Sequence, residues 1–186
     1  MRLFKTEGII IKRRNYGEAD RLLTVLTKNT GKIQVKATGI RKITSRRSPH
    51  VELLNHSVLG LYRGRSYPIL TECETIDNFS PIKNSLEKIG HAFHLCELVD
   101  CLCPENQENT KVFFLLKNIL INLSLDNPVS IREFEIELLI ILGYLPAGRQ
   151  GWNNPYAYSY DFDTNNFIEN IIERKLKSRD IFAKLC

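Results

Sequence analysis

Residues 20–37 read DRLLTVLTKNTGKIQVKA, two β-rich runs joined by a turn. Leu22, Thr24 and Leu26 alternate through the first run, and Ile33, Val35 and Ala37 share one face of the second; a period of two marks a strand. Asn29, Thr30 and Gly31 between them are turn formers, because Asn and Gly tolerate the backbone that a tight reversal needs. The segment is a hairpin. Working outward, residues 8–14 are rich in Ile, and residues 51–62 and 67–76 are two further β-rich stretches separated by Arg63-Gly64-Arg65-Ser66, a plausible tight turn. About five strands, with no helical period among them, predict a small closed barrel, for which the five-stranded oligonucleotide-binding (OB) fold is the commonest candidate.

The hydrophobic period changes once, near Asn78. Ser80-Pro81 is a helix-start signal, and Ile82, Leu86, Ile89, Phe93 and Cys96 then recur at spacings of four and three, a stripe that continues to Cys103. Val112, Leu115, Leu116, Ile119 and Leu123 predict a second helix over residues 109–125. Ser130 followed by Glu133 is a capping box ahead of Phe134, Leu138, Ile141 and Leu142, and Gly143 with Pro146 ends that third helix. Residues 147–160 read as loop, and a fourth helix is expected over residues 166–184. The fold class is therefore α+β: a five-stranded OB barrel over residues 1–79, then an α-helical domain over residues 80–186.

Charge is divided unevenly between these halves. Residues 1–67 carry fifteen Lys and Arg against four acids, a net +11, whereas the whole chain of 186 residues is only +5. The remainder is acidic. A basic barrel on an acidic helical half points to a polyanion as the partner of the barrel. No apolar run approaches the roughly 20 residues of a membrane helix. MRLFKTEG at the start lacks the apolar core of a signal peptide, so the cytoplasm is the expected compartment and no membrane the expected partner. Five irregularly spaced cysteines do not make a disulfide framework, and such thiols commonly pack as small apolar residues.

Residues 39–48 hold four cations and few apolar residues, which reads as an exposed loop. Arg41, Lys42, Arg46 and Arg47 in it, Lys36 on the strand before, and Arg63 and Arg65 on the later turn are the candidate nucleic-acid contacts, since Arg and Lys hydrogen-bond phosphates and release condensed counterions. Each alone could be merely solvated. Tyr16, Tyr62 and Tyr67 are the possible stacking surfaces, though a strand tyrosine is more often half-buried packing. Binding is thus expected to be electrostatic, sequence-tolerant and salt-sensitive.

Other patterns do not point to chemistry. The Gly60–Ser66 stretch has the wrong glycine spacing for a phosphate-binding loop, has Arg65 in place of lysine, and sits between strands. His91, His94, Cys96, Cys101 and Cys103 crowd one helix, but Cys101 and Cys103 lie about 200° apart, so core packing is the better reading than a shared metal ion. Glu133, Glu135 and Glu137 read as a solvated face or as charges suiting the helix N-terminus. No Ser-His-Asp or Cys-His arrangement can be argued from spacing, and no catalytic residue, metal or cofactor is expected.

GIIIKRRNYGEADRLLTVLT over residues 8–27, then Thr30-Gly31-Lys32 and Gly39-Ile-Arg-Lys42, resembles the opening of the RecO family of recombination mediators. Residues 51–54, 61–64 and 70–72 follow in the order of that family's later barrel strands, and residues 131–146 are similar to its long helix ending in a Gly-Tyr-x-Pro turn. The resemblance implies an N-terminal OB domain and a C-terminal helical domain. It also implies a non-enzymatic role in DNA repair: binding single- and double-stranded DNA, annealing complementary strands and, with RecR, helping RecA load onto DNA coated by SSB, whose C-terminal tail the helical domain contacts. Asp20 and Arg21 in the motif make a structural ion pair or turn contact, or Arg21 touches DNA. The chain departs from the family pattern in residues 147–155, which hold no cysteine where many members have a four-cysteine zinc site, so no zinc knuckle is expected there. It is also short after residue 146, as a trimmed helical domain or an incomplete sequence would be. Thr38 stands where a lysine often precedes the family's loop glycine, and Lys36 points to the same face two residues earlier.

The rival class is a protein-interaction adaptor, whose basic barrel docks an acidic partner rather than DNA; an RNA-binding OB protein is a third. Salt separates them: six phosphates engaged on a single strand imply a log K against log salt slope of about −4.

Overall fold

The computed structural model describes residues 3–146 and 162–178. Five strands, β1 (Leu3–Tyr16), β2 (Asp20–Thr27), β3 (Gly31–Ala37), β4 (His56–Tyr62) and β5 (Ile69–Asp77), close a barrel in the order β1-β2-β3-β5-β4. Only β3 and β5 pair in parallel, through Lys36 and Ile69. This is an OB-type barrel. β1 serves two neighbours: its first half pairs with β4 and its second with β2, and an irregularity between Ile10 and Lys12 bends it from one to the other. Register partners can be followed once around the barrel, from Leu3 through Tyr62, Ile69, Lys36 and Leu22 to Arg14. The circuit returns to β1 at position 14 after leaving it at position 3, the stagger that tilted strands require for closure.

Ile10, Leu23, Val25, Ile33, Val35, Leu59, Leu61 and Leu70 fill the interior. Ile9, Ile11 and Leu26 point the other way and join the helical core around Leu95, Val99, Phe113 and Leu116. The Ile-Ile-Ile run is apolar at every position because β1 is buried on both faces.

The helices are α1 (Ser80–Lys83), α2 (Leu86–Leu102), α3 (Thr110–Ser124), α4 (Ile131–Ile141) and α5 (Thr164–Ile172). Asn109, Ser130 and Asp163 cap the last three, each accepting a backbone N–H three residues on. Gly143 leaves α4 with φ +82°, as a helix-ending glycine does.

Three boundaries differ from expectation. The expected strand over residues 51–62 begins only at His56, because Pro49 starts a 3-10 turn over Ser48–Val51 and Leu54 takes φ +69°; Val51 instead turns into the barrel interior. Ser80-Pro81 opens a single turn, not the long helix. Phe79 and Ile82, both buried, anchor that turn, and the chain restarts at Ser85, whose side chain accepts from Lys88 N–H to cap α2. The helix expected over residues 166–184 stops at Ile172, where Glu173 is left-handed and the turn carries Leu176 into the core. The loop expected over residues 147–160, including the cysteine-free stretch 147–155, lies outside the described residues.

Helices cover one end of the barrel. Asn106 N–H donates to Lys32 O at 2.8 Å, Thr110 Oγ1 to Lys28 O at 3.1 Å, and Gly31 faces Gln107 so closely that a Cβ there would sit 1.8 Å from its carbonyl oxygen. Beside this seam the Glu7 carboxylate takes His56 Nε2 at 2.7 Å and Lys117 Nζ at 3.2 Å. The opposite end is left to the β1–β2 turn, the first part of the 38–55 connection and the β4–β5 turn, while Leu54 and Asn55 at the end of that connection meet the helical core and Lys83. Among the described residues no helix is long and apolar enough to cross a membrane.

Candidate nucleic-acid interface

The open barrel end is built on Asp20. Its carboxylate accepts Gly39 N–H at 2.7 Å and pairs with Lys36 Nζ at 3.1 Å. The Gly39 amide, then Lys36, hold its pKa below the ordinary carboxylate value against a small burial penalty. Gly39 has φ +65°, a conformation that glycine adopts without strain. The chain then plugs Ile40 into the barrel interior, so the 39–48 loop is not wholly exposed as expected: it is a folded cap whose residues 41–44 and 46 remain in solvent.

The seven predicted cations all lie at this end, but they are not equivalent. Arg41 donates from Nη1 to the carbonyls of Gly17 at 3.3 Å and Glu18 at 3.0 Å. Arg47 clamps Leu70 O at 2.5 Å and Thr38 O at 2.9 Å, tying the loop to β5. Lys36 is committed to Asp20 and lies 5.1 Å above the Tyr16 ring. Arg63 stacks over Phe4 at 5.9 Å but stays exposed. Lys42, Arg46 and Arg65 are exposed, and among the described residues their side chains make no hydrogen bond or ion pair.

One cation absent from the sequence reading belongs with them. Arg14 on β1 is exposed, without such a partner among the described residues, and stands on the same register circuit as Lys36 and Tyr62. Its neighbours are occupied, since Lys12 pairs with Asp100 at 2.6 Å and Arg13 with Glu52. The KRR run in the sequence was the available signal. Arg21 also reaches Glu52, at 3.4 Å, so Asp20 and Arg21 are turn and loop contacts to different partners rather than a pair. Of the three tyrosines, Tyr16 is 43% exposed, while Tyr62 and Tyr67 are half-buried.

The helical half holds a second polar cluster, and it corrects the reading of the α4 glutamates. Glu135 is 3% exposed and is no part of a solvated face. His94 Nε2 lies 2.8 Å from its Oε1, Thr164 Oγ1 donates to its Oε2, and Ser178 Oγ is 2.7 Å from His94 Nδ1. Both ring nitrogens of His94 are thus held, one by the Glu135 carboxyl and the other by the Ser178 hydroxyl. This order of groups matches a hydrolase triad, but Ser178 is 2% exposed, and its own N–H and that of Lys177 both bind the Glu97 carboxylate at 2.8 and 3.0 Å. The amides that could stabilise an oxyanion already hold an anion. The cluster is a structural lock between α2, α4 and the chain after α5. His94 is thus hydrogen-bonded rather than simply packed; Cys96 and Cys103 are buried, where loss of solvation raises their thiols to about 12 and about 11.

The family model for the recombination protein O N terminal matches residues 1–79, and that for its C terminal matches residues 83–151. The chain belongs to the recombination protein O family. A DNA repair protein RecO of Roseiflexus sp. (strain RS-1) is 42% identical over 147 residues, covering 78% of this chain and 52% of that protein. One from Pelotomaculum thermopropionicum is 37% identical over 148 residues, with 79% and 58% covered, and one from Dehalococcoides mccartyi (strain BAV1) is 41% identical over 151 residues, with 79% and 59% covered. The match to this RecO-type chain spans little more than half the length of these relatives.

Proposed function

We propose that this RecO-family chain is a non-enzymatic mediator of recombinational DNA repair in the bacterial cytoplasm. In this reading it binds single- and double-stranded DNA through the open end of the barrel, anneals complementary strands, and with RecR assists RecA loading on SSB-coated DNA. The observation that carries it is the set of exposed, unengaged cations at the barrel end that the helices leave free, in a chain whose family is that of DNA repair proteins. Residues 1–79 then form the nucleic-acid-binding domain and residues 80–186 a helical domain that supports it. Arg14, Lys42, Arg46, Arg63 and Arg65 meet phosphates. Lys36, Arg41 and Arg47 hold the loop in place and add to the local potential.

The test is titration of fluorescent single-stranded DNA at several salt concentrations. Tight binding at low salt with a steep salt slope is expected; no binding at any salt refutes the reading and moves the barrel to the adaptor class.

A further inference from the structure

Ile43 is the one apolar side chain of the cap that the barrel does not bury. Ile40 before it and Val51 after it both reach the barrel interior, whereas Ile43 is fully exposed between Lys42 and Thr44. Its outward position is built by the backbone. Lys42 N–H donates to Gly39 O at 3.2 Å and Ser45 N–H to Lys42 O at 2.9 Å, so two successive turns present residue 43 at the tip. Below it, Gly39, Arg41 and Arg47 fasten the loop to Asp20, to the β1–β2 turn and to β5. The second observation is the Tyr16 ring: Tyr16 is paired in register with Asp20, lies 5.1 Å below Lys36 Nζ, and is 43% exposed.

An aliphatic tip and a partly exposed aromatic ring, with exposed Lys42, Arg46 and Arg14 at the same barrel end, match a polyanion that also offers flat apolar surfaces. Single-stranded nucleic acid is that ligand, because its bases can be splayed from the stack, while the base faces of a closed duplex are covered by their neighbours. We propose that Ile43, together with the exposed part of Tyr16, packs against unstacked bases, so that this barrel end holds single strands by a non-ionic contact that closed duplex cannot make. The inference rests on the nucleic-acid reading above and adds to it a preference between strand forms.

The experiment compares the full chain with Ile43→Ser, Ile43→Phe and the double variant Lys42→Ala/Arg46→Ala, on fluorescent oligo-dT and on a blunt hairpin duplex closed by a non-nucleotide linker, over a range of salt. Ile43→Ser should weaken oligo-dT binding on the order of tenfold, since burial of an aliphatic side chain is lost, with the salt slope unchanged and hairpin affinity held within about twofold because no phosphate contact is touched. Ile43→Phe should bind oligo-dT at least as tightly as the parent. The inference is overturned if Ile43→Ser matches the parent on oligo-dT, or if it weakens hairpin and oligo-dT equally, while Lys42→Ala/Arg46→Ala loses affinity with a shallower slope. If the parent chain binds neither ligand, the nucleic-acid reading itself fails and this contact with it. Thermal melting of each variant, expected to match the parent because residue 43 touches no core, guards the comparison.

Discussion

Arg46 and Arg47 are adjacent in sequence, yet their substitution by Ala should have different consequences. Arg46 is exposed without a partner among the described residues, whereas Arg47 spends its guanidinium on Leu70 O and Thr38 O. Five exposed cations at the barrel end, without a hydrogen bond or ion pair among the described residues, imply a slope of log K against log salt of about −3.5 on a single strand, at about 0.7 per phosphate. Arg46→Ala should therefore make the slope shallower by about 0.7 and weaken binding about fivefold at 0.1 M salt, with no effect on stability. Arg47→Ala should leave the slope near the parent value. It removes two charge-assisted bonds in a partly buried place, at about 1–2 kcal/mol in all, which lowers Tm by about 2–8 °C for a chain of this size. The two variants are compared by fluorescence anisotropy over a salt series and by thermal melting. Equal changes in slope with no loss of stability in Arg47→Ala would refute the division of the cap into phosphate-binding and loop-holding arginines.

Other outcomes follow from the same geometry. Glu135→Ala leaves His94 and Thr164 buried without this partner and should cost about 2–5 kcal/mol, while Glu135→Gln, which keeps hydrogen-bonding atoms in place, should cost about 1–2 kcal/mol; urea unfolding of both checks this, and equal costs would show that the lock is only space filling. Burial holds His56 below its ordinary value of 6.5 despite the Glu7 hydrogen bond. The unfolded chain then takes up the proton first, so stability falls as pH drops below that value. Glu7, whose bonds to His56 and Lys117 outweigh its burial and lower it from 4.5, adds a further loss as pH falls through its folded value. Urea midpoints from pH 7 to pH 4 should decline for the parent and decline less between pH 7 and pH 5 for His56→Gln. Gly31→Ala drives a Cβ into the Gln107 carbonyl and should destabilise the protein by several kcal/mol, whereas at Gly17, where nothing lies within 4 Å, the same change should cost only about 1–2 kcal/mol of left-handed strain; comparable Tm losses for the two would contradict the tight hairpin-to-helix seam.

Legibility varied with the range of the interactions involved. The β2–β3 hairpin and the Ser130 cap were readable because each depends on residues within one turn of chain. The Ser80-Pro81 start misled because its turn is held by Phe79 and Ile82 burying elsewhere, not by continuation into α2. Glu135 looked solvent-facing because its partners, His94 and Thr164, lie 41 and 29 residues away.

The sequence by itself determined the order of strands and helices, the basic half and the family resemblance, since periodicity, capping and charge are properties of neighbouring residues. Only the tertiary structure decided which cations are free. A lysine or arginine is committed when barrel closure brings a distant carboxylate or carbonyl to it, as Glu52 meets Arg13 and Arg21 and Leu70 meets Arg47. The cations that closure leaves without such a partner are the ones the barrel end can offer to phosphate.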